Sequence, residues 1–170
     1  MSAYFVNPET TQNTKYRKGN PMKLSELFSH WNQVHADTLV VLDKFSEDEL
    51  SYVAYPGGMT VGRITLHIAD AKDGWFQRIF TGERQDWPEN YTLENYSSKA
   101  AIAVLLSEVH TKIFDHLAEL TETDLDTQVD SPWGTFSLRF ILWHILEHEI
   151  HHRGELSLIL GLLGREGLEM

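Results

Sequence analysis

Apolar residues recur at steps of three and four in four stretches of the chain, and this spacing predicts four amphipathic helices. The first stretch runs from about Lys23 to Phe45, with Leu24, Leu27, Phe28, Trp31, Val34, Thr38, Leu42 and Phe45 in step. The second, Thr60 to Phe80, aligns Val61, Ile64, Ile68, Ala71, Trp75 and Ile79, and the third, Ser98 to Leu120, aligns Ile102, Leu105, Leu106, Val109, Ile113, Leu117 and Leu120. The fourth runs from about Ser137 to Leu163. Thr60 and Ser98 stand where N-caps belong, and Gly82 and Gly164 lie near C-termini. Alternation with period two is nowhere sustained, so a sheet is not expected and the fold class is all-α.

The pattern repeats. Phe45-Ser46-Glu47-Asp48-Glu49-Leu50 resembles Leu120-Thr121-Glu122-Thr123-Asp124-Leu125, each with a hydroxyl residue followed three places later by an acid, the capping-box pattern of a short helical turn. Pro56-Gly57-Gly58 answers Pro132-Trp133-Gly134, and Leu66-His67-Ile68 answers Trp143-His144-Ile145 with a slip of two residues. Two helix-turn-helix halves, neither able to bury its apolar stripe alone, are expected to pack as a four-helix bundle.

The chain has 170 residues, enough for one domain. Residues 1–21 are polar and end in Gly19-Asn20-Pro21, which reads as a mobile or loosely docked arm before a folded domain over 22–170. The net charge of −11 disfavours binding to phosphate backbones and anionic membranes. No stretch approaches the roughly 18 apolar residues of a membrane span. Cysteine is absent, which removes disulfides, thiolate nucleophiles and Cys-based zinc sites, and the N-terminus lacks the apolar core of a signal peptide. The cytoplasm is the expected compartment. The long connection over 82–97 carries Trp87, Tyr91 and Tyr96, expected to pack over one end of the bundle.

Histidine changes the picture. There are nine, four of them within 144–152. The fourth stripe, Leu138, Ile141, Ile145, His148, His152, Leu156, Ile159 and Leu163, puts His148 and His152 where core aliphatics belong. Two unpaired buried imidazoles are costly, but one helical turn apart both can face a single ion. His67 lies three residues after Ile64 and four before Ala71, on the buried face of the second helix. Taken alone, it is most often a hydrogen-bonded core residue. With His148 and His152 it makes three nitrogen ligands and leaves one position open, the layout of a catalytic metal site. His144 and His151 border the same arc as ligands, partners of ligands or partly exposed residues. His30, His35, His110 and His116 read as surface or packing residues.

His148-Glu149-Ile150-His151-His152 satisfies H-E-x-x-H, and His144-Ile145-Leu146-Glu147-His148 satisfies its inverted form. The context is not a protease's. Glu155 and Leu158 stand where the extended motif needs Gly and His, and only 18 residues follow His152. Glu149, Asp70 and His151 are the candidates for a general base.

The run Trp143-His-Ile-Leu-Glu-His-Glu-Ile-His-His-Arg-Gly-Glu-Leu156 resembles the signature helix of the DinB/YfiT-like family of metal-dependent enzymes. Thr60-Val-Gly-Arg-Ile-Thr-Leu-His-Ile-Ala-Asp70 resembles that family's second helix, and the likeness covers about Met22 to Leu163. The resemblance implies a four-helix bundle, usually a homodimer, with one divalent ion per chain, often nickel or zinc. Matched residue by residue, the implied ligands are His67, His148 and His152. It also implies a metal-activated thiol or water acting on a small-molecule substrate, as in relatives that transfer a low-molecular-weight thiol cosubstrate. The alternatives are a metal-dependent hydrolase and a non-catalytic metal-binding stress-response protein. Glu155, placed where the family commonly has Gln, either orients His152 or alters the charge at the metal.

Overall fold

A computed structural model of the chain describes residues 20–88 and 90–168. The order is α1 (Leu24–Leu27), α2 (His30–Asp43), α3 (Val61–Asp73), α4 (Lys99–Leu117), a hairpin of β1 (Gln128–Ser131) and β2 (Gly134–Ser137), and α5 (Leu138–Leu162). Four long helices pack about one core, with Leu24, Trp31, Leu42, Phe45, Ile64, Phe76, Ile102, Leu106 and Ile113 fully buried. The all-α bundle expected from the apolar stripes is the fold observed. The arm expected over 1–21 lies almost wholly outside the described residues. Met22 is already engaged with the body, its carbonyl accepting from the Glu122 amide.

Three expectations are corrected. The first helix is broken at Phe28–Ser29, where Trp31 and Asn32 donate to carbonyls three residues back instead of four. The tightened turn rotates Trp31 inward to 0% exposure and leaves Leu27 45% exposed, off the stripe it was assigned to. The second helix does not run uniformly to Phe80: from Gly74 to Phe80 it widens into a π-helix, a form that recurs at functional positions. A sheet, though small, is present: β1 and β2 pair antiparallel, Gln128 opposite Ser137 and Ser131 opposite Gly134. Four residues per strand are too few to register as alternation. Thr60, Ser98 and Ser137 each cap a helix, accepting from Arg63 N, Ala101 N and Phe140 N at 3.1, 3.1 and 3.2 Å.

The repeat extends into three dimensions. Both boxes close: Ser46 N and Glu49 N bond reciprocally with Glu49 and Ser46 side chains, and Thr121 does the same with Asp124. The β1–β2 hairpin has a smaller counterpart, the single bridge Val53–Thr60 around Gly57, whose φ of 82° suits glycine. The slip of two residues arises here: Thr60 lies fourteen positions after Ser46, and Ser137 sixteen after Thr121. Counted from the boxes, His35 is equivalent to His110. Counted from the caps, Arg63 answers Phe140, His67 answers His144, Ala71 answers His148, Lys72 answers Glu149 and Trp75 answers His152.

The 82–97 connection does not cap an end of the bundle; it runs along α3. Leu93 sits over Gly62 and the Trp87 ring over Gly74, close enough that a Cβ would come within 2.5 and 2.6 Å of them respectively. Asp73 anchors the segment, accepting from Arg84 Nη1 at 2.7 Å and Tyr91 OH at 3.0 Å. Burial pushes the Asp73 carboxyl up, with these two partners opposing.

Candidate metal centre

α3 and α5 bring three histidines to one place. His67 Nε2 and His148 Nε2 are 3.2 Å apart, and one nitrogen from each of His67, His148 and His152 lies within 4.8 Å of the others. His148 and His152 meet because they are one turn apart on α5, with ring centroids at 4.5 Å. Carboxylates fix two of the rings from behind. Asp70 Oδ1 is 3.0 Å from His67 Nδ1, and Glu155 Oε2 is 2.9 Å from His152 Nδ1. Asp70 is in turn held by Arg63 Nη1 at 2.8 Å. With Nδ1–H donating to a carboxylate, the Nε2 lone pair is presented inward, which is how metal-ligating imidazoles are generally oriented.

The set suits a cation. Two nitrogens sharing a tetrahedral ion at about 2.0–2.1 Å sit roughly 3.3–3.4 Å apart, close to the separation found for His67 and His148. Burial, with the neighbouring His152, His67 and His144, pushes the His148 imidazole down to about 3, so it is neutral near pH 7. Burial also lowers His152, against the pull of Glu155. The Nδ1 of His148 is buried without a partner among the described residues. Beside His67 a cavity of about 390 Å³ opens, lined by Arg63, Asp70, Trp87, Pro88 and Tyr91.

About 100° round α5 from His148 lies a second polar cluster of different character. Lys72 and Glu149 are completely buried and paired at 2.8 Å. Glu149 also accepts from Trp31 Nε1 at 2.6 Å and faces His35 Nδ1 at 3.4 Å. The His35 and His110 rings stack at 4.1 Å between centroids. His110 reaches Lys72 Nζ at 3.4 Å and Asn32 Oδ1 at 3.0 Å. Burial pushes the Glu149 carboxyl up, but Lys72, His35 and Trp31 together hold it below the usual carboxylate range. Burial draws Lys72 down, opposed by Glu149, and burial with the Lys72 charge brings His110 down to about 3. His35, His110 and Glu149 are close enough to hold an ion, but the Lys72 ammonium already supplies the cation there.

The DinB family model matches residues 12–170. The chain belongs to the DinB family. Among relatives of the DinB chain, YjoA of Bacillus subtilis (strain 168) is 26% identical over 147 residues, covering 85% of this chain and 93% of YjoA. YizA of the same organism is 30% identical over 95 residues, 54% of this chain and 57% of YizA. The crystal structure of a DinB-like protein from Bacillus cereus ATCC 10987 superposes with a TM-score of 0.69 at 23% identity, covering 88% of this chain and 98% of that one. The crystal structure of YjoA gives 0.67 at 24%, covering 85% and 96%. At these identities the structural likeness speaks for the fold alone.

Within this DinB chain the other sequence candidates separate. Glu149, the residue H-E-x-x-H would make a base, points into the core because it stands one residue, about 100°, past His148. Asp70 is occupied with His67 and Arg63. His151 is exposed on α5, its ring 4.9 Å from that of His152. His144 is outside the set of three, edge-on to Trp75 at 4.8 Å and stacked on Phe140 at 5.6 Å. His35 and His110, read as surface or packing residues, prove to be the centre of a buried charge network. Their positions beside Val34 and Val109 put them next to a core stripe, the one local signal that could have marked them.

Proposed function

We propose that this DinB-family chain is a divalent-metal-dependent enzyme in which His67, His148 and His152 hold one zinc or nickel ion. The reading rests on the convergence of three imidazole nitrogens from two helices, two of the rings fixed by carboxylates. A divalent ion there supplies Lewis acidity, lowering the pKa of a thiol or water bound in the position left open. Asp70 and Glu155 set the tautomers and aim of His67 and His152. Burial keeps His148 neutral, so it competes for the ion without first losing a proton. Trp87 and Tyr91 line the cavity beside His67. The chain has no cysteine, so where the nucleophile is a thiol it comes from a low-molecular-weight cosubstrate, whose sulfur bonds to an electrophilic carbon of the small molecule as the leaving group departs with the thiol proton. The absence of cysteine also suits a reducing, cytoplasmic setting. The protein acts as a homodimer through the outer face of α5, where Trp143, Ile150, Leu158 and Leu162 are exposed.

Metal analysis tests the centre. Wild type and His30→Ala are expected to carry one Zn²⁺ or Ni²⁺ per chain under limiting metal, and His67→Ala, His148→Ala and His152→Ala less than a tenth. Full stoichiometry and affinity in His148→Ala would overturn the assignment. Loss confined to His144→Ala would move the ligand set to that residue. Sedimentation equilibrium at micromolar concentration tests the dimer, and a mass near 19.6 kDa speaks against it.

A further inference from the structure

The cavity beside His67 and the exposed aromatic patch that Trp87 joins to it are chemically unlike, although Arg63 at one end and Phe140 at the other hold equivalent positions of the two halves. At one end, α3 places Arg63 against the cavity beside His67. Its Nη1 is bound to Asp70 at 2.8 Å and the Tyr91 carbonyl at 3.4 Å. Nε and Nη2 make no hydrogen bond among the described residues, and 44% of the side chain is exposed. At the other end, the equivalent of Arg63 is Phe140, stacked on His144. There Trp75, the equivalent of His152, packs at 5.5 Å on Trp133 from the hairpin turn. Trp87 joins the two ends, lining the Arg63 cavity and meeting Trp133 at 5.8 Å.

We propose that this cavity and the adjoining aromatic patch together bind a small molecule carrying a single carboxylate at one end, held by Arg63, and a flat apolar group at the other, held against Trp133 and its neighbours. The inference rests on the metal-enzyme reading only in placing the reacting atom between the two ends. A planar guanidinium with one edge pinned offers a fork matched to a carboxylate. A phosphate dianion is disfavoured, because among the described residues Arg63 is the one Lys or Arg lining the cavity and Asp70 stands beside it. The aromatic end supplies rings half open to solvent, with Trp133 59% and Phe140 44% exposed, and such faces favour a flat apolar partner.

The test is calorimetric titration of the full chain, metal-free and zinc-loaded, with 3-phenylpropionate, propionate and 3-phenylpropan-1-ol, zinc content being measured on the same samples. In the metal-free protein 3-phenylpropionate is expected to bind at least tenfold more tightly than either of the other two. Arg63→Met removes the preference for the acid over the alcohol, and Arg63→Lys, which keeps the charge and loses the fork, reduces it. Trp133→Ala, a change in an exposed turn, removes the preference for the phenyl acid over propionate. Zinc stoichiometry stays as in wild type in Trp133→Ala. The proposal is overturned by no heat at 10 mM 3-phenylpropionate, by preferences within twofold of one another in wild type, or by a preference that survives in Arg63→Met. Preferences that hold in a protein binding no zinc would sink the metal reading and leave this proposal standing. Zinc bound without the preferences would do the reverse.

Discussion

Both polar clusters of the bundle are made of histidines and carboxylates from facing helices, yet they do opposite work. Around Lys72 and Glu149 the ionisable groups of the ion pair are fully buried and satisfied by one another, and the cation is part of the chain. Around His67, His148 and His152 three imidazoles face one another at the edge of a cavity, and carboxylates stand behind His67 and His152. A cluster that brings its own counter-charge has no need of a ligand. One that gathers three imidazole nitrogens within 4.8 Å of one another could hold a metal ion.

The largest effect expected is on the sealed side. Glu149→Ala leaves an ammonium buried without its partner, and breaking such pairs costs about 3–5 kcal/mol. Urea unfolding of the metal-free variant should show this, and a loss under about 1 kcal/mol would mean that the pair is hydrated. His148→Ala is expected to invert the pattern. Metal affinity falls at least a hundredfold, while metal-free stability changes by less than about 1–2 kcal/mol, the range of a single lost polar contact. Next in size is Glu155→Gln. It keeps the shape and loses the carboxylate on His152, so affinity should fall about tenfold, at the low end for such supporting groups. Competition with a chromophoric chelator measures it, and an unchanged affinity would make Glu155 a bystander.

Acid tests both clusters together. His110 and His148 are held near 3 in the folded protein against about 6.5 unfolded. Between those values the unfolded chain binds more protons, so stability is intact above about pH 6.5 and declines as pH falls toward 3. Glu149, also lowered, adds a loss of the same sign below its ordinary carboxylate range. Unfolding midpoints of metal-free protein should therefore drop between pH 7 and pH 4, and His148→Gln should flatten part of the slope. A flat profile would show that neither histidine is shielded. The smallest effects concern glycines. Gly154 has open space around a built Cβ, whereas Gly74 would meet the Trp87 ring at 2.6 Å. Gly154→Ala should stabilise by about 0.5–1 kcal/mol through helix propensity. Gly74→Ala should destabilise by about 1–3 kcal/mol by overpacking and raise the exposure of Trp87, seen in its fluorescence.

Local periodicity carries what is local. The long helices, their caps at Thr60 and Ser98 and the placing of His148 and His152 on one face all follow from spacings within a turn or two. The break after Phe28 does not, because residues 24–45 keep an unbroken apolar step across it. The partners of Glu149 were hidden for a related reason: Lys72 and Trp31 lie 77 and 118 positions away. H-E-x-x-H spacing says nothing about which way the middle carboxylate turns. The same distance hides Asp73 as the anchor of the 82–97 segment, since its burial depends on a cover that the α3 pattern does not contain. His67, read from its stripe as a buried-face residue, proves with Arg63 to be one of the two half-buried positions of an otherwise buried α3, and Asp70 three residues on is within reach along the same helix.

Lys72 and Glu149 occupy the same place in the two halves, as do the stacked His35 and His110, so each pair joins a position to its own copy. Two identical halves would set lysine against lysine or glutamate against glutamate at the sealed centre, and like charges cannot share a dry interior. The opposite signs at that one position therefore make the halves obligate complements. A chain built from two copies of either half would place a like pair at this buried position and lose the 2.8 Å ion pair that joins the halves.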